Sequence, residues 1–311
     1  KYIIMAQIQH FLKKENNPMQ GTDGNFSFGI NWTDYVEKRL TPTIIKTHID
    51  DLKKFGFEST NNVNKPIISI EEAINNNKEW RSYVNCRKPK INLEDIKNFR
   101  IIDIGSGSGL SSLSFLKLGC KELVSFDYDE HSVNATRLTR KKFTKNADNW
   151  QIQSDSILND GLVDKYGTFD IVYSWGVLHH TGNLWKAIKN SISLCRPGGY
   201  LWISLYNDGP TYDEDIKDKV RYNQADAKGK MALLYQYISK CWPNITVSEL
   251  LEYDNRGMNH YNDAIDWLGG YPYEVANYLE VISYFTDKNF QLINLFIGGG
   301  RGCSTYLFKR S

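Results

Sequence analysis

The sequence has no long hydrophobic run. Nowhere does the 311-residue chain approach the ~20 consecutive apolar residues that a membrane-spanning helix requires. Residues 1–12 also hold no long apolar run of the kind found in a secretory leader. We therefore expect a soluble, cytoplasmic protein, and its length is sufficient for a sizeable core in one large or two ordinary domains.

A dominant charge of one sign is also absent. The 38 basic side chains nearly balance the 36 acidic ones, so the formal net charge is +2. Such a balance provides no strong attraction to nucleic acid or to an anionic membrane. The content of hydrophobic (41%) and charged (24%) residues is that of an ordinary globular protein rather than a disordered chain.

The third absence is that of paired cysteines. Five cysteines lie far apart, at positions 86, 120, 195, 241 and 303, and none belongs to a C-x-x-C pair. This odd, scattered set argues against a disulfide scaffold or a zinc site and favours reduced thiols in a cytoplasm. We expect no metal cofactor.

The most informative stretch that is present runs from Phe99 to Gly109, FRIIDIGSGSG. It predicts a short buried strand, a turn with glycines at 105, 107 and 109, and a helix beyond. Glycines let a ligand approach the backbone, and a helix N-terminus offers free N–H groups, which favours a nucleotide-type cofactor. A tight turn without a ligand would use the same residues. Asp103 would repel a pyrophosphate and suits a cationic ligand with an amino-acid end.

Strands and helices alternate after this turn. Strands are predicted at 100–104, 122–127, 150–154, 169–174 and 199–206, with helices at 109–118, 130–143 and 183–195. This alternation predicts an α/β fold, a mostly parallel sheet with helices on both faces and ligands at the carboxyl ends of the strands. An insertion of about residues 207–273 precedes a helix at 274–288 and a hairpin of strands at 291–297 and 303–309, one of which must be antiparallel.

Residues 1–98 are predicted to form a mostly helical N-terminal segment. Its features are the aromatic side chains of Phe26, Phe28 and Trp32, a helix cap at Thr33, and amphipathic or helical stretches at 35–55 and 70–83. The aromatic side chains either attach this segment to the main domain, residues 99–311, or form a lid over the cofactor or the acceptor.

Acidic residues follow two successive strands after the turn. Asp127 lies about 20 residues past the turn, where a carboxylate can accept both hydroxyls of a ribose. Asp155 follows the next strand, where it suits the exocyclic amine of an adenine. A single acid at such a place is more often a capping or surface residue, but together with Asp103 these acids occupy three successive strand ends.

Taken in order, Asp103, the glycine turn, Asp127, Asp155, FDIVYSWGVLHHTG (169–182) and LCRPGGYLWIS (194–204) resemble the class I S-adenosylmethionine-dependent methyltransferases. The resemblance implies a Rossmann-like sheet of seven strands, with the last one antiparallel and inserted between the fifth and sixth. The segments FSFGINW, DWLGGYPYEV and GGGRGC further resemble a subgroup of sugar and natural-product tailoring methyltransferases.

The resemblance implies S-adenosylmethionine as methyl donor and S-adenosylhomocysteine as product. It places Asp103 and the turn at the methionine part, Asp127 at the ribose, and Asp155 with Ser156 at the adenine. The full set of cofactor-binding residues that we expect is Asp103, Gly105, Ser106, Gly107, Gly109, Asp127, Tyr128, Asp155, Ser156, Ser174 and Trp175.

His179 and His180 follow the fourth predicted strand, beside the expected methyl group. One of them is expected to act as general base for a hydroxyl acceptor, whereas the other packs or caps the following helix. Arg301, near the expected acceptor, would suit a carboxylate or phosphate. The aromatic turn 266–272 has two interpretations: it binds the acceptor together with Arg301, or it packs the insertion onto the core. The residues expected to bind the acceptor are Phe28, Trp32, Tyr206, Asn207, Arg256, Asp266, Trp267 and Arg301.

These features predict methyl transfer to a small molecule or saccharide, at oxygen rather than nitrogen, by in-line displacement. Three alternatives stay open: a peptide or protein acceptor, an RNA acceptor bound through the N-terminal segment, and a non-catalytic cofactor-binding partner protein. DNA-base methylation is disfavoured, because Ser174-Trp175-Gly176-Val177 stands where those enzymes carry an acidic or Asn residue before Pro-Pro, or a Pro-Cys nucleophile.

Overall fold

The structure is a computed structural model that describes residues 8, 28–57, 67–69, 82–84, 90–254 and 259–311. Its strands are β1 Ile67–Ile68, β2 Ser82–Val84, β3 Arg100–Ile104, β4 Glu122–Asp127, β5 Trp150–Ser154, β6 Phe169–Trp175, β7 Cys195–Tyr206, β8 Phe290–Ile297 and β9 Cys303–Arg310. Its α-helices are α1 Gly29–Lys38, α2 Pro42–Leu52, α3 Leu110–Lys117, α4 Glu130–Phe143, α5 Leu162–Tyr166, α6 Leu184–Leu194, α7 Tyr212–Gln224, α8 Ala227–Cys241, α9 Val247–Leu251, α10 His260–Gly269 and α11 Tyr278–Asp287.

The strands form one sheet in the order β1-β2-β8-β9-β7-β6-β3-β4-β5. From β8 to β5 the seven strands are parallel except β9, which pairs antiparallel with both β7 and β8. This confirms the predicted α/β fold with an antiparallel last strand between the fifth and sixth. The sheet also extends beyond β8 through β2, which pairs antiparallel with β8, and β1.

Part of the N-terminal prediction is wrong. Ser82 and Tyr83 lie in β2 rather than at the end of a helix, while residues 70–81 and Phe26 are outside the described residues. The predicted amphipathic stretch breaks after α1, and α2 starts anew because Thr41 accepts a hydrogen bond from the Ile44 N–H and Pro42 occupies its first turn. Thr33 does not cap a helix: it lies inside α1, where its hydroxyl donates to the Gly29 carbonyl.

Two hydrophobic layers cover the sheet, one on each face. The layer under α6 and α11 includes Leu184, Ile188 and Phe285 together with inward residues of β6, β7 and β9. The opposite layer brings α1 to α4 onto the sheet. Because both faces are buried, the central strands are nearly continuous apolar runs, which is the pattern that made them predictable.

The insertion is helical and has its own core. Helices α7, α8, α9 and α10 surround Tyr222, Leu234, Ile238, Leu250 and Leu268. Helix α7 covers a highly charged segment, Asp213–Lys219, for which we predicted no helix. Helices α7 and α10 contact each other, and Trp267 of α10 contacts the Tyr206 ring at the end of β7. Among the described residues, no helix is both long enough and apolar enough to span a bilayer.

The indole of Trp202, on β7, anchors the segment after α2. It is 2% exposed and contacts the rings of Phe55, Phe115 and Tyr173. Gly56 lies directly against it, and a Cβ added at Gly56 would come within 2.4 Å of the Trp202 ring. Only a residue without a side chain fits at this contact.

We predict that Gly56→Ala lowers the free energy of unfolding by about 1–3 kcal/mol, the usual cost of overpacking a core. Urea denaturation measures this. Gly209→Ala is the matched control, because an added Cβ there would meet its nearest neighbour at 3.7 Å. Equal midpoints for the two variants would contradict the assigned packing.

Candidate functional site

The glycine turn connects β3 to α3 at the carboxyl end of the sheet. Gly105 and Gly107 have φ angles of +73° and +52°, in the region that favours glycine. A Cβ at Gly105 would lie 2.4 Å from Val177, and one at Gly107 would lie 3.1 Å from the Trp32 indole. No side chain fits at Gly105 or at Gly107, because Val177 and the Trp32 indole lie against the backbone at these two positions.

Hydroxyl groups of α4 fix the carbonyl groups of this turn. The Thr136 hydroxyl donates to the Gly107 carbonyl at 3.0 Å, and the Thr139 hydroxyl donates to the Ser108 carbonyl at 2.6 Å. The Ser106 hydroxyl lies 2.9 Å from that of Thr136. Sequence reasoning missed these threonines, because buried hydroxyls on a helix have no motif of their own.

Asp127, at the end of β4, closes the turn. One carboxylate oxygen accepts from the Gly107 N–H at 2.9 Å, and the other accepts from the Asp129 N–H at 3.0 Å. Burial raises the pKa of Asp127 to about 6, and the two backbone hydrogen bonds oppose that rise. A carboxylate oxygen has two lone pairs, so this arrangement leaves acceptor capacity beside the turn.

Asp103 lies below the turn and is 2% exposed. It accepts a hydrogen bond of 2.5 Å from the Ser112 hydroxyl, which also lies 2.6 Å from that of Ser125. Burial raises the pKa of Asp103 to about 7, the Ser112 hydrogen bond opposes this, and the Asp127 charge adds to it. These contacts give Asp103 a part in holding α3 against the sheet, and its expected place at the methionine part stays a prediction.

Asp155, after β5, is held by donors of its own chain. Its carboxylate accepts from the Ser156 N–H, the Asn159 amide, Lys165 Nζ and Tyr166 Oη at 2.7–2.8 Å. Burial raises its pKa, but these hydrogen bonds outweigh burial and the pKa is lowered. The Ser156 hydroxyl accepts from the Leu158 N–H. An adenine contact at Asp155 stays a prediction that requires an exchange of partners.

Ser174, Trp175 and Tyr128 differ in their exposure at this edge. Ser174 is fully buried and its hydroxyl donates to the Ile104 carbonyl, which ties β6 to β3. In contrast, Trp175 is 56% exposed and Tyr128 is 59% exposed. Both rings expose large aromatic surfaces at this edge, whereas the Ser174 hydroxyl is enclosed within the sheet.

The two histidines have different environments. His179 is fully buried; its Nδ1 accepts from the Tyr206 N–H at 3.2 Å, so Nε2 carries the proton, and that atom has no partner among the described residues. Burial lowers its pKa well below the usual value, and electrostatic interactions with His180 and Lys219 lower it further. With Nδ1 accepting from Tyr206, the neutral ring has no unpaired lone pair with which to take up a proton.

His180 is only partly buried and is oriented differently. Its Nδ1 lies 2.7 Å from the Pro272 carbonyl, which can only accept, so Nδ1 carries the proton and Nε2 carries the lone pair. Burial lowers the pKa of His180 to about 3, the Lys219 charge adds to this, and the bond to Pro272 opposes it. The result is a neutral imidazole with a fixed tautomer, whose unprotonated Nε2 is only weakly basic in this environment.

Aromatic rings surround His180. The Tyr206 ring lies 5.7 Å from it, the Phe28 ring 5.4 Å and the Tyr273 ring 6.4 Å. The Trp267 ring contacts those of Tyr206 and Tyr273. The structure therefore brings Phe28, Tyr206 and Trp267 together with His180, as expected for one site, and adds Tyr273.

Two cations lie behind these rings, and sequence reasoning missed the first. Lys219 is 1% exposed; its ammonium donates to the Trp267 carbonyl and lies 4.1 Å and 4.6 Å above the rings of Trp267 and Tyr273. Burial lowers its pKa to about 7. Arg301 pairs with Asp215 at 2.5 and 3.1 Å. Nε and one Nη group hold Asp215, so the other guanidinium N–H groups are what Arg301 can offer to an acceptor carboxylate or phosphate, and that contact stays a prediction.

The remaining acceptor candidates have structural contacts or cannot be placed. The Asn207 side chain donates to the Gly298 carbonyl and joins β7 to the β8–β9 turn. Asp266 accepts from the Asn31 amide at 2.7 Å. Arg256 lies outside the described residues. Within the described ranges, no group of three or more His, Cys, Asp or Glu side chains is arranged to hold a metal ion.

The fold, the glycine turn and the acidic residue at the end of the next strand define a Rossmann-like class I methyltransferase architecture. A family model described as "Methyltransferase domain" matches residues 75–293, which is more than half of the chain. The chain belongs to this family.

Comparison with known proteins gives more distant similarities. The ubiquinone biosynthesis O-methyltransferase of Xanthomonas oryzae pv. oryzae (strain PXO99A) is 29% identical over 116 residues, which cover 37% of this chain and 46% of that protein. The enzyme of the same name from Xanthomonas axonopodis pv. citri is 31% identical over 111 residues, covering 36% and 44%. The chain thus spans less than half the length of these curated relatives.

A similar solved structure is that of PKMT2 from Rickettsia typhi in complex with AdoHcy. The two structures superpose with a TM-score of 0.51 at 15% identity, over 73% of this chain and 51% of that one. At this identity the likeness shows the fold alone.

We predict that His180 stays neutral and protonated at Nδ1 down to pH 5, because its pKa is lowered to about 3. Nitrogen-15 NMR of the imidazole groups measures the tautomer and titration, with the ring of the exposed His131 as internal reference. A His180 ring that gains its second proton above pH 6 would contradict the assigned environment.

Proposed function

We propose that the protein transfers a methyl group from S-adenosylmethionine to a hydroxyl of a small-molecule acceptor. One observation supports this proposal above all. A glycine turn held by Asp127 and a neutral histidine, His180, whose Nε2 carries no proton, lie at the same edge of the sheet. The O-methyltransferase names of the curated relatives support the choice of oxygen.

The residues of the turn fit a methyl donor with a ribose. Asp127 keeps lone pairs for ribose hydroxyls while it holds the Gly107 N–H. Gly105 and Gly107 keep the turn compact against Val177 and Trp32, and the exposed Trp175 and Tyr128 rings offer flat surfaces for an adenine. When bound, the donor supplies an electrophilic methyl carbon on a sulfonium.

The chain aligns the acceptor and removes its proton. The acceptor oxygen forms a bond to the methyl carbon as the carbon–sulfur bond breaks, and the hydroxyl proton passes to Nε2 of His180. The aromatic rings around His180 exclude water and orient the acceptor. Since Lys219 is engaged within the chain and the Arg301 charge is balanced by Asp215, the ring faces around His180 are the main surface for the acceptor, which supports an uncharged acceptor.

Two substitutions test the donor site. Asp127→Ala and Gly107→Val are each expected to weaken binding of S-adenosylhomocysteine by about 100-fold or more. Asp127→Ala removes a charge-assisted acceptor and its hydrogen bond to the Gly107 N–H, and Gly107→Val places a branched side chain against Trp32. Isothermal titration calorimetry measures this. Asp160→Ala, at an exposed carboxylate, is the control. Wild-type affinity in both variants would remove the donor assignment.

Removal of the His180 imidazole tests its role as base. His180→Ala is expected to lower turnover by about 10²–10⁴-fold while affinity for S-adenosylhomocysteine changes little. To measure turnover, each protein is incubated with labelled S-adenosylmethionine and a metabolite extract. Mass spectrometry then detects the products that have gained one methyl group. Wild-type turnover in His180→Ala would exclude the base and point to an acceptor that needs no deprotonation, such as an amine.

A further inference from the structure

Helix α1 contacts the donor side of the site at two places. The Gly29 N–H donates at 2.8 Å to Asp129, which lies two residues after Asp127 in the chain. A Cβ added at Gly29 would lie 2.2 Å from the Ser132 backbone, so α1 rests tightly on the first turn of α4. One turn further on, the Trp32 indole lies against Gly107. Movement of the glycine turn or of Trp32 therefore acts directly on α1.

The same helix contacts the acceptor side. The Asn31 amide donates to Asp266 on α10 at 2.7 Å, and the Phe28 ring lies 5.4 Å from that of His180. A Cβ added at Gly270, just after α10, would meet the Phe28 ring at 3.2 Å. Among the described elements, α1 thus provides a direct bridge between the glycine turn and α10.

The bridging hydrogen bond is partly buried. Asn31 is 6% exposed, and the partly buried Asp266 lies near Asn31 of α1 and Lys219 of α7. Breaking the bond would leave the buried Asn31 amide without this partner, which disfavours separation of the two side chains. Asn31 adjoins Trp32 in a continuous α-helix, so the two side chains cannot shift independently along the helix axis.

We propose that Asn31 and Asp266 are positioning residues that couple the two sides, so that occupancy of the glycine turn orders α10 and with it the rings around His180. This inference rests on the proposed function, because it takes the turn as the donor site. A merely structural hydrogen bond would stabilise α10 equally with and without a ligand at the turn.

Amide hydrogen exchange with mass spectrometry on the full chain, with and without saturating S-adenosylhomocysteine, tests this coupling. In the wild type, the ligand is expected to slow exchange at the glycine turn and, about tenfold, across α10. In Asn31→Ala and Asp266→Ala, slowing at the turn is expected to persist while the slowing across α10 is lost.

Two matched variants complete the test. Asp266→Asn keeps the oxygen that accepts from Asn31 and is expected to retain the response of α10. Thr33→Ala, which removes only a hydrogen bond within α1, is expected to retain it too. A response of α10 that persists in Asn31→Ala, or ligand-slowed exchange confined to the turn in the wild type, would overturn the coupling while leaving the proposed function intact. No binding by the wild type would overturn both.

Discussion

The site depends first on the carboxylate of Asp127, which holds two backbone N–H groups that belong to different loops. Its bond to Gly107 closes the glycine turn, and its bond to Asp129 sets the loop before α4. Asp129 in turn accepts from the backbone N–H groups of His131, at the start of α4, and Gly29, at the start of α1. One strand end therefore fixes the turn, the helix that clamps its carbonyl groups and the helix that lies across it.

The surroundings of His180 follow a different principle. There charged groups pair with one another or lie against carbonyl groups and ring faces: Arg301, in the β8–β9 turn, pairs with Asp215, and Lys219 lies over Trp267. Aromatic rings surround His180. Burial and the nearby Lys219 charge both disfavour the imidazolium, so His180 stays neutral with its lone pair on Nε2. Backbone groups thus build one part of the site and aromatic rings the other.

Sequence patterns predicted the sheet well because its signals are local. Buried parallel strands are apolar runs, and glycines and acids at their ends are visible within a few residues. The two short strands β1 and β2 carry too few residues for a periodic pattern. The different environments of His179 and His180 could not be assigned from the sequence, which left open which of the two acts as base, since they depend on the Tyr206 N–H and the Pro272 carbonyl, which lie 27 and 92 residues away. Lys219 was missed because a buried lysine in a charged segment resembles a solvated helix face.

The proposed function requires a methyl donor over the glycine turn with its reactive end toward His180. A crystal structure of the complex with S-adenosylhomocysteine would show where the donor lies. We expect the ribose hydroxyls to hydrogen-bond to the Asp127 carboxylate and the sulfur to lie on the side of the aromatic rings around His180. A ligand bound elsewhere, or one whose ribose makes no contact with Asp127, would contradict it.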